Sequence, residues 1–181
     1  MDLNKELPCT MYKLLSQELT SHGDMKWEIG KINEAVEKGN TLCSREVLHC
    51  YENPEIAIIM NSCHARIKNP RLFRIATSPI IASDGLKMGT KQQMLLEEIE
   101  LPVLSITTKI AFGILCALEM YKEKHFVIWA KDWLSGKNRT KEAAAYAAYA
   151  AAAYAANAAA AYVAIFPLNF LSILSQAKEV K

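Results

Sequence analysis

The stretch EAAAYAAYAAAAYAANAAAAYVAIF, residues 142–166, decides how the last third of the chain is read. Alanine is the strongest helix former, so this run predicts one long helix from about Thr140 to Phe166. No charged residue occurs from Ala143 to Ala177. At about 100° per residue, Tyr146 and Asn157 nearly coincide, Tyr149 and Tyr154 flank them, and Tyr162 lies further round. The opposite face is almost pure alanine and suits close approach of another helix. Tyrosines bury large apolar areas, yet their hydroxyls need partners. The stripe of Tyr146, Tyr149, Tyr154 and Asn157 therefore has two readings: the core side of a small bundle, or a partner-binding surface.

The run Ala158 to Leu174 is interrupted by Pro167, Asn169 and Ser172. A membrane span needs about 20 predominantly apolar residues, so none is expected here.

Working back toward the N-terminus, the helical period continues. Phe126, Trp129, Ala130 and Trp133 recur at spacings of three and four, which marks a helix that stops near Gly136. Ile110, Phe112, Ile114, Leu115, Ala117, Leu118 and Tyr121 mark another, capped by Ser105 or Thr107. Pro102 closes the segment before it.

Upstream of Pro102 the period shortens. Met11 to Leu15 and Trp27 to Gly30 read as short strands, as do Val47 to Cys50 and Ala65 to Ile67. Leu72-Phe73-Arg74-Ile75-Ala76 alternates like a half-buried strand, with Leu72 and Arg74 on one face and Phe73 and Ile75 on the other. Gln93 to Leu101 has strand character, although Leu95-Leu96-Glu97-Glu98 also suits a helix. Asn53-Pro54-Glu55 reads as a helix start, with Asn53 as cap and the helix running to about Asn61. The expected fold is α+β: a mixed sheet domain over residues 1–102, then a helical bundle over 103–181 containing the Ala-rich helix.

The chain has 181 residues and a net charge of +2. That is enough length for a real core without metals or disulfides. The charge is not clustered, so sequence-specific nucleic-acid binding is not expected. Five cysteines, Cys9, Cys43, Cys50, Cys63 and Cys116, follow no secretory signal pattern, so reduced thiols and a cytoplasmic location are expected.

Two groups of residues could carry chemistry, the first in two ways. His49, Cys50, Cys63 and His64, with Cys43 nearby, offer metal-ligand types without a C-x2-C pair. The same residues could form a Cys-His nucleophile, or leave one of each adjacent pair in the core and the other outside. Arg66, Arg71 and Arg74 could hold phosphates or an acidic partner, or sit on a solvated face with Glu97, Glu98 and Glu100 as cross-strand partners. Phosphate-binding, dinucleotide, nucleophile-elbow and zinc-protease motifs do not occur in the sequence, and no cofactor or bound metal is expected.

The order Tyr12-Lys13, Trp27-Glu28-Ile29-Gly30-Lys31, Leu42-Cys43 and Leu48-His49-Cys50-Tyr51-Glu52-Asn53-Pro54 resembles an uncharacterised domain of bacteriophage and prophage proteins. Val47-Leu48 stands where that family usually has Gly-Phe. Trp133-Leu134-Ser135-Gly136-Lys137-Asn138-Arg139-Thr140 resembles the segment preceding the Ala-Tyr tails of phage proteins often labelled immunity proteins. The resemblance implies a small phage-encoded protein in the bacterial cytoplasm that binds and inhibits a host protein or protein–nucleic-acid effector complex. A defence component such as a CRISPR effector is the leading target class. An immunity protein that neutralises a toxin is one alternative. The layout of the first half is also similar to compact ADP-ribosyltransferases, a reading that would need Glu97, Glu98 or Glu100 as catalytic acid.

Overall fold

A computed structural model describes residues 7–140 and 168–181. The Ala-Tyr segment, with Tyr146, Tyr149, Tyr154 and Asn157, lies outside the described residues. The chain divides into two compact units, Met1–Val103 and Leu104–Lys181. Among the described residues the architecture is mixed α/β, with two small antiparallel sheets and four α-helices.

In the first unit, strands β1 (Cys9–Leu15), β2 (Ile32–Glu34), β4 (Arg71–Thr77) and β7 (Gln92–Ile99) form one sheet in the order β1-β4-β7-β2. Strands β3 (Leu48–Cys50), β5 (Ala82–Ser83) and β6 (Met88–Thr90) form a second, in the order β3-β6-β5. Tyr12 and Tyr51 exchange both main-chain hydrogen bonds at 2.8 Å and so join the two sheets. Met11, Leu15, Trp27, Leu48, Phe73, Ile75, Met88 and Leu95 fill the core between them.

The strand predicted at Leu72 to Ala76 is β4, with a correction to its burial. Leu72, Phe73 and Ile75 are all fully buried, so the strand is covered on both sides; Arg74 is exposed, and Arg71 and Ala76 are half-buried. A register shift against β7 falls between Arg74 and Ile75.

Helix α1 (Pro54–His64) begins as expected. The Asn53 side-chain oxygen accepts from the Glu55 and Ile56 amides at 2.8 and 3.1 Å, a cap worth about 1 kcal/mol. The helix runs one turn beyond Asn61 and packs on β1. The strand expected at Ala65 to Ile67 is instead a closing turn. Asn61 accepts from the Ile67 amide at 3.0 Å and donates to its carbonyl at 2.9 Å, satisfying the groups a strand neighbour would use. The strand expected at Trp27 to Gly30 is also displaced. Gly30 turns the chain at φ 78°, and β2 starts two residues later.

The second unit contributes α2 (Ile106–Met120), α3 (Lys124–Leu134) and α4 (Phe170–Glu179). Ser105 caps α2 by accepting from the Thr108 amide at 2.9 Å. Helix α2 packs against α3 and α4, with the Phe112 and Phe170 rings 6.4 Å apart. None of the described helices is long and apolar enough to cross a membrane.

The Trp133–Thr140 motif has a structural explanation. Gly136 takes a left-handed φ of 80° just past α3. Arg139 folds back over the Trp133 ring, 4.8 Å from its centre, and its Nε donates to the Trp133 carbonyl at 3.0 Å. A cation thus meets the negative end of the helix.

Candidate functional site

The pleat of β3 sends neighbouring side chains to opposite faces. Leu48 and Cys50 turn into the core, and His49 turns the other way.

On the inner side lies Lys13, 5% exposed, in the middle of β1. Its ammonium donates to the His49 carbonyl at 2.6 Å and to Gln93 Oε1 at 3.0 Å, and sits 4.4 Å from the centre of the Trp27 ring. Gln93 is fully buried and donates onward to the Leu48 carbonyl at 2.9 Å and to Thr90 Oγ1 at 3.0 Å. A buried cation is tolerated only when its donors are used, and here they knit β1, β3 and β7 together. Burial lowers the Lys13 pKa to about 8 and raises that of Cys50 to about 11. The Cys50 thiol is therefore protonated, and it points at the Met88 carbonyl 3.7 Å away.

On the outer side a second polar group assembles. His49 Nε2 accepts the Cys43 amide at 3.0 Å, which places the ring proton on Nδ1. Burial, with Lys13 and Lys87 nearby, lowers the His49 pKa to about 4, so the ring is neutral. Tyr51 and His64 stack with centroids 6.0 Å apart, and the phenol oxygen lies 3.1 Å from His64 Nδ1. Burial pushes the Tyr51 phenol up and His64 down. Lys87, 7% exposed, donates to Cys43 Sγ at 2.8 Å. Asp84 Oδ2 forms an ion pair with the same ammonium at 3.8 Å, while Asp84 Oδ1 accepts the Leu86 and Lys87 amides at 3.0 and 2.8 Å.

Of the proposed ligand set, His49 and His64 lie on the outer side with Cys43, while Cys50 is on the inner side. Cys63 is exposed near the end of α1. Among the described residues no group of three or more His, Cys, Asp or Glu is placed to hold a metal ion.

The arginines do not form a free basic strip. Arg71 grips Glu98 through two bonds, at 2.9 and 2.5 Å, and Arg74 binds Glu97 at 2.8 Å. Arg66 is exposed in the turn after α1, at φ 52°. Glu97 and Glu98, two of the three candidates for the catalytic acid of an ADP-ribosyltransferase, are thus engaged across the sheet. A depression of about 390 Å³ is lined by Arg71, Glu98, Leu72 and Ile99 among others. Another, of about 300 Å³, lies between Glu34–Gly39 and Lys91.

Sequence reading missed Lys13, Gln93 and Lys87. Lys13 left one trace, a cation inside the apolar strand Met11 to Leu15. Lys87 left none, since its partner Cys43 is 44 residues away in the chain. Compared with family models, curated proteins and solved structures, the chain matches none.

Proposed function

We propose that the protein is a small phage-encoded binding protein that inhibits a host protein, with a bacterial defence component as the target class. Its phage origin rests on the resemblance carried by residues 12–54 and 133–140.

The observation that supports a binding mode is the outer edge of the larger sheet at β2. Ala35 donates to the Lys91 carbonyl at 2.8 Å. By antiparallel alternation, the main-chain groups of Ile32 and Glu34 then point away from β7. Ile29 and Val36, 55% and 60% exposed, flank this edge. An extended segment of a partner could add to it as a further strand, with these two side chains giving apolar contact.

The test is affinity capture from bacterial lysate, identification of the dominant partner, and assay of that partner with purified protein. The reading expects one partner whose activity falls, and loss of capture by Ile29→Asp with Val36→Asp. A captured partner that keeps full activity would sink it. A toxin as partner would favour the immunity-protein alternative.

A further inference from the structure

We propose that Cys43 is a peroxide-reactive thiol and that Lys87 captures its oxidised form as a covalent cross-link.

Cys43 is exposed, at φ 61° in the loop before β3. That loop is built rather than loose. Thr41 donates its amide to Glu46 at 2.7 Å, Ser44 Oγ donates to the Thr41 carbonyl at 2.7 Å, and the Cys43 amide is held by His49. The sulfur is therefore presented to solvent from a fixed backbone.

Lys87 behaves unlike an ordinary surface lysine. Such side chains run their stems along apolar surface and leave the head in water. Lys87 is nearly covered, and its nitrogen lies 2.8 Å from the sulfur, with Asp84 Oδ2 on hand at 3.8 Å as an ion-pair partner. Nitrogen and sulfur thus touch before any reaction, so bond formation needs no main-chain movement and has the advantage of an intramolecular step.

The chemistry balances with a hydroperoxide as oxidant. Cys43 sulfur attacks the peroxide, the O–O bond breaks, and sulfur loses two electrons to give the sulfenic acid and one molecule of water or alcohol. Sulfenic acids condense with nitrogen to sulfenamides. The Lys87 ammonium gives one proton to the sulfenic hydroxyl, which leaves as water. A second proton passes to Asp84 or solvent as the S–N bond forms. A dithiol reverses the link, returning thiol and amine and becoming a disulfide itself. Cys50 and Cys63 are placed differently. Cys50 is enclosed, and the polar neighbour of Cys63 is the Ser62 hydroxyl at 3.8 Å.

The test treats the full chain with near-stoichiometric hydrogen peroxide and maps it by mass spectrometry after cleavage with a protease that does not cut at lysine. The expected product is a Cys43–Lys87 peptide pair lighter than its parts by two hydrogen atoms and released by dithiothreitol. Cys43→Ser abolishes it. Lys87→Arg, checked for native circular dichroism, leaves a Cys43 sulfenic acid trappable by dimedone. Lys87 recovered free while Cys43 proceeds to the sulfinic acid would overturn the proposal. So would a Cys43 that resists a peroxide dose able to oxidise Cys63.

Discussion

Two lysine–cysteine neighbourhoods flank β3 and differ chiefly in access to water. On the inner side Lys13 is locked by the His49 carbonyl, Gln93 and the Trp27 ring, and Cys50 is enclosed beneath it. On the outer side Lys87 reaches a sulfur that solvent can also reach. The residue types are the same and the physics is not. Burial turns the inner pair into part of the architecture, whereas exposure of Cys43 beside a covered amine creates a place where chemistry can occur.

The inner side should dominate stability. Trp27→Ala removes a core ring and the π face under Lys13, and should cost about 3–5 kcal/mol, read from the urea midpoint. A cost under about 1 kcal/mol would mean that Lys13 is not enclosed as described.

The Lys13 charge can be sensed by pH. Its folded pKa, about 8, lies below its unfolded value of 10.5, so between these the unfolded chain holds the extra proton and stability rises with pH. The rise amounts to about 3 kcal/mol at most. Cys50 and Cys116, raised to about 11 and about 12, act in the opposite sense above pH 9. Subtracting the urea-melt pH profile of Lys13→Met from that of the native sequence isolates the lysine. A flat difference would contradict its burial.

The loop presenting Cys43 offers the next effect. Gly39 sits at φ 120°, and a Cβ there would collide with the Glu46 carboxylate. Gly39→Ala should cost about 1–3 kcal/mol in thermal melts, because the backbone strains and Glu46 must release Thr41. An unchanged melting temperature would show the loop to be less ordered than drawn.

The outer histidine should act in acid. The folded pKa of His49, about 4, lies below the unfolded 6.5, so its contribution is present above pH 6.5 and is lost as pH falls to 4. Discounted for partial exposure, that loss is about 1–2 kcal/mol, and His49→Gln should flatten this limb of the profile. The smallest effect belongs to the exposed pair on β4 and β7. Arg74→Ala should cost about 0.2–1 kcal/mol, and less in high salt.

Much of the fold was legible where short-range chemistry decides it. Asn53-Pro54-Glu55 starts a helix, Ser105 caps one and Gly136 ends one, because each acts on backbone groups within a turn of itself. The failures came from side chains that reach further. Asn61 consumes the backbone groups of Ile67 and prevents a strand there. Trp27 looked like part of a strand but is an anchor beneath Lys13. The pairing of Arg71 with Glu98 and of Arg74 with Glu97 was open to the sequence as the alternative to a basic strip, because alternating charges on two strands suit cross-strand partners. The Cys43–Lys87 approach was not legible, because no local pattern encodes a contact between two loops of the smaller sheet.

The division of the two cysteines by β3 is tested most directly by alkylating the native chain with iodoacetamide and mapping the label by mass spectrometry. Cys43 should label without denaturant and Cys50 only after unfolding. Native labelling of Cys50 at the rate of Cys43 would contradict the account.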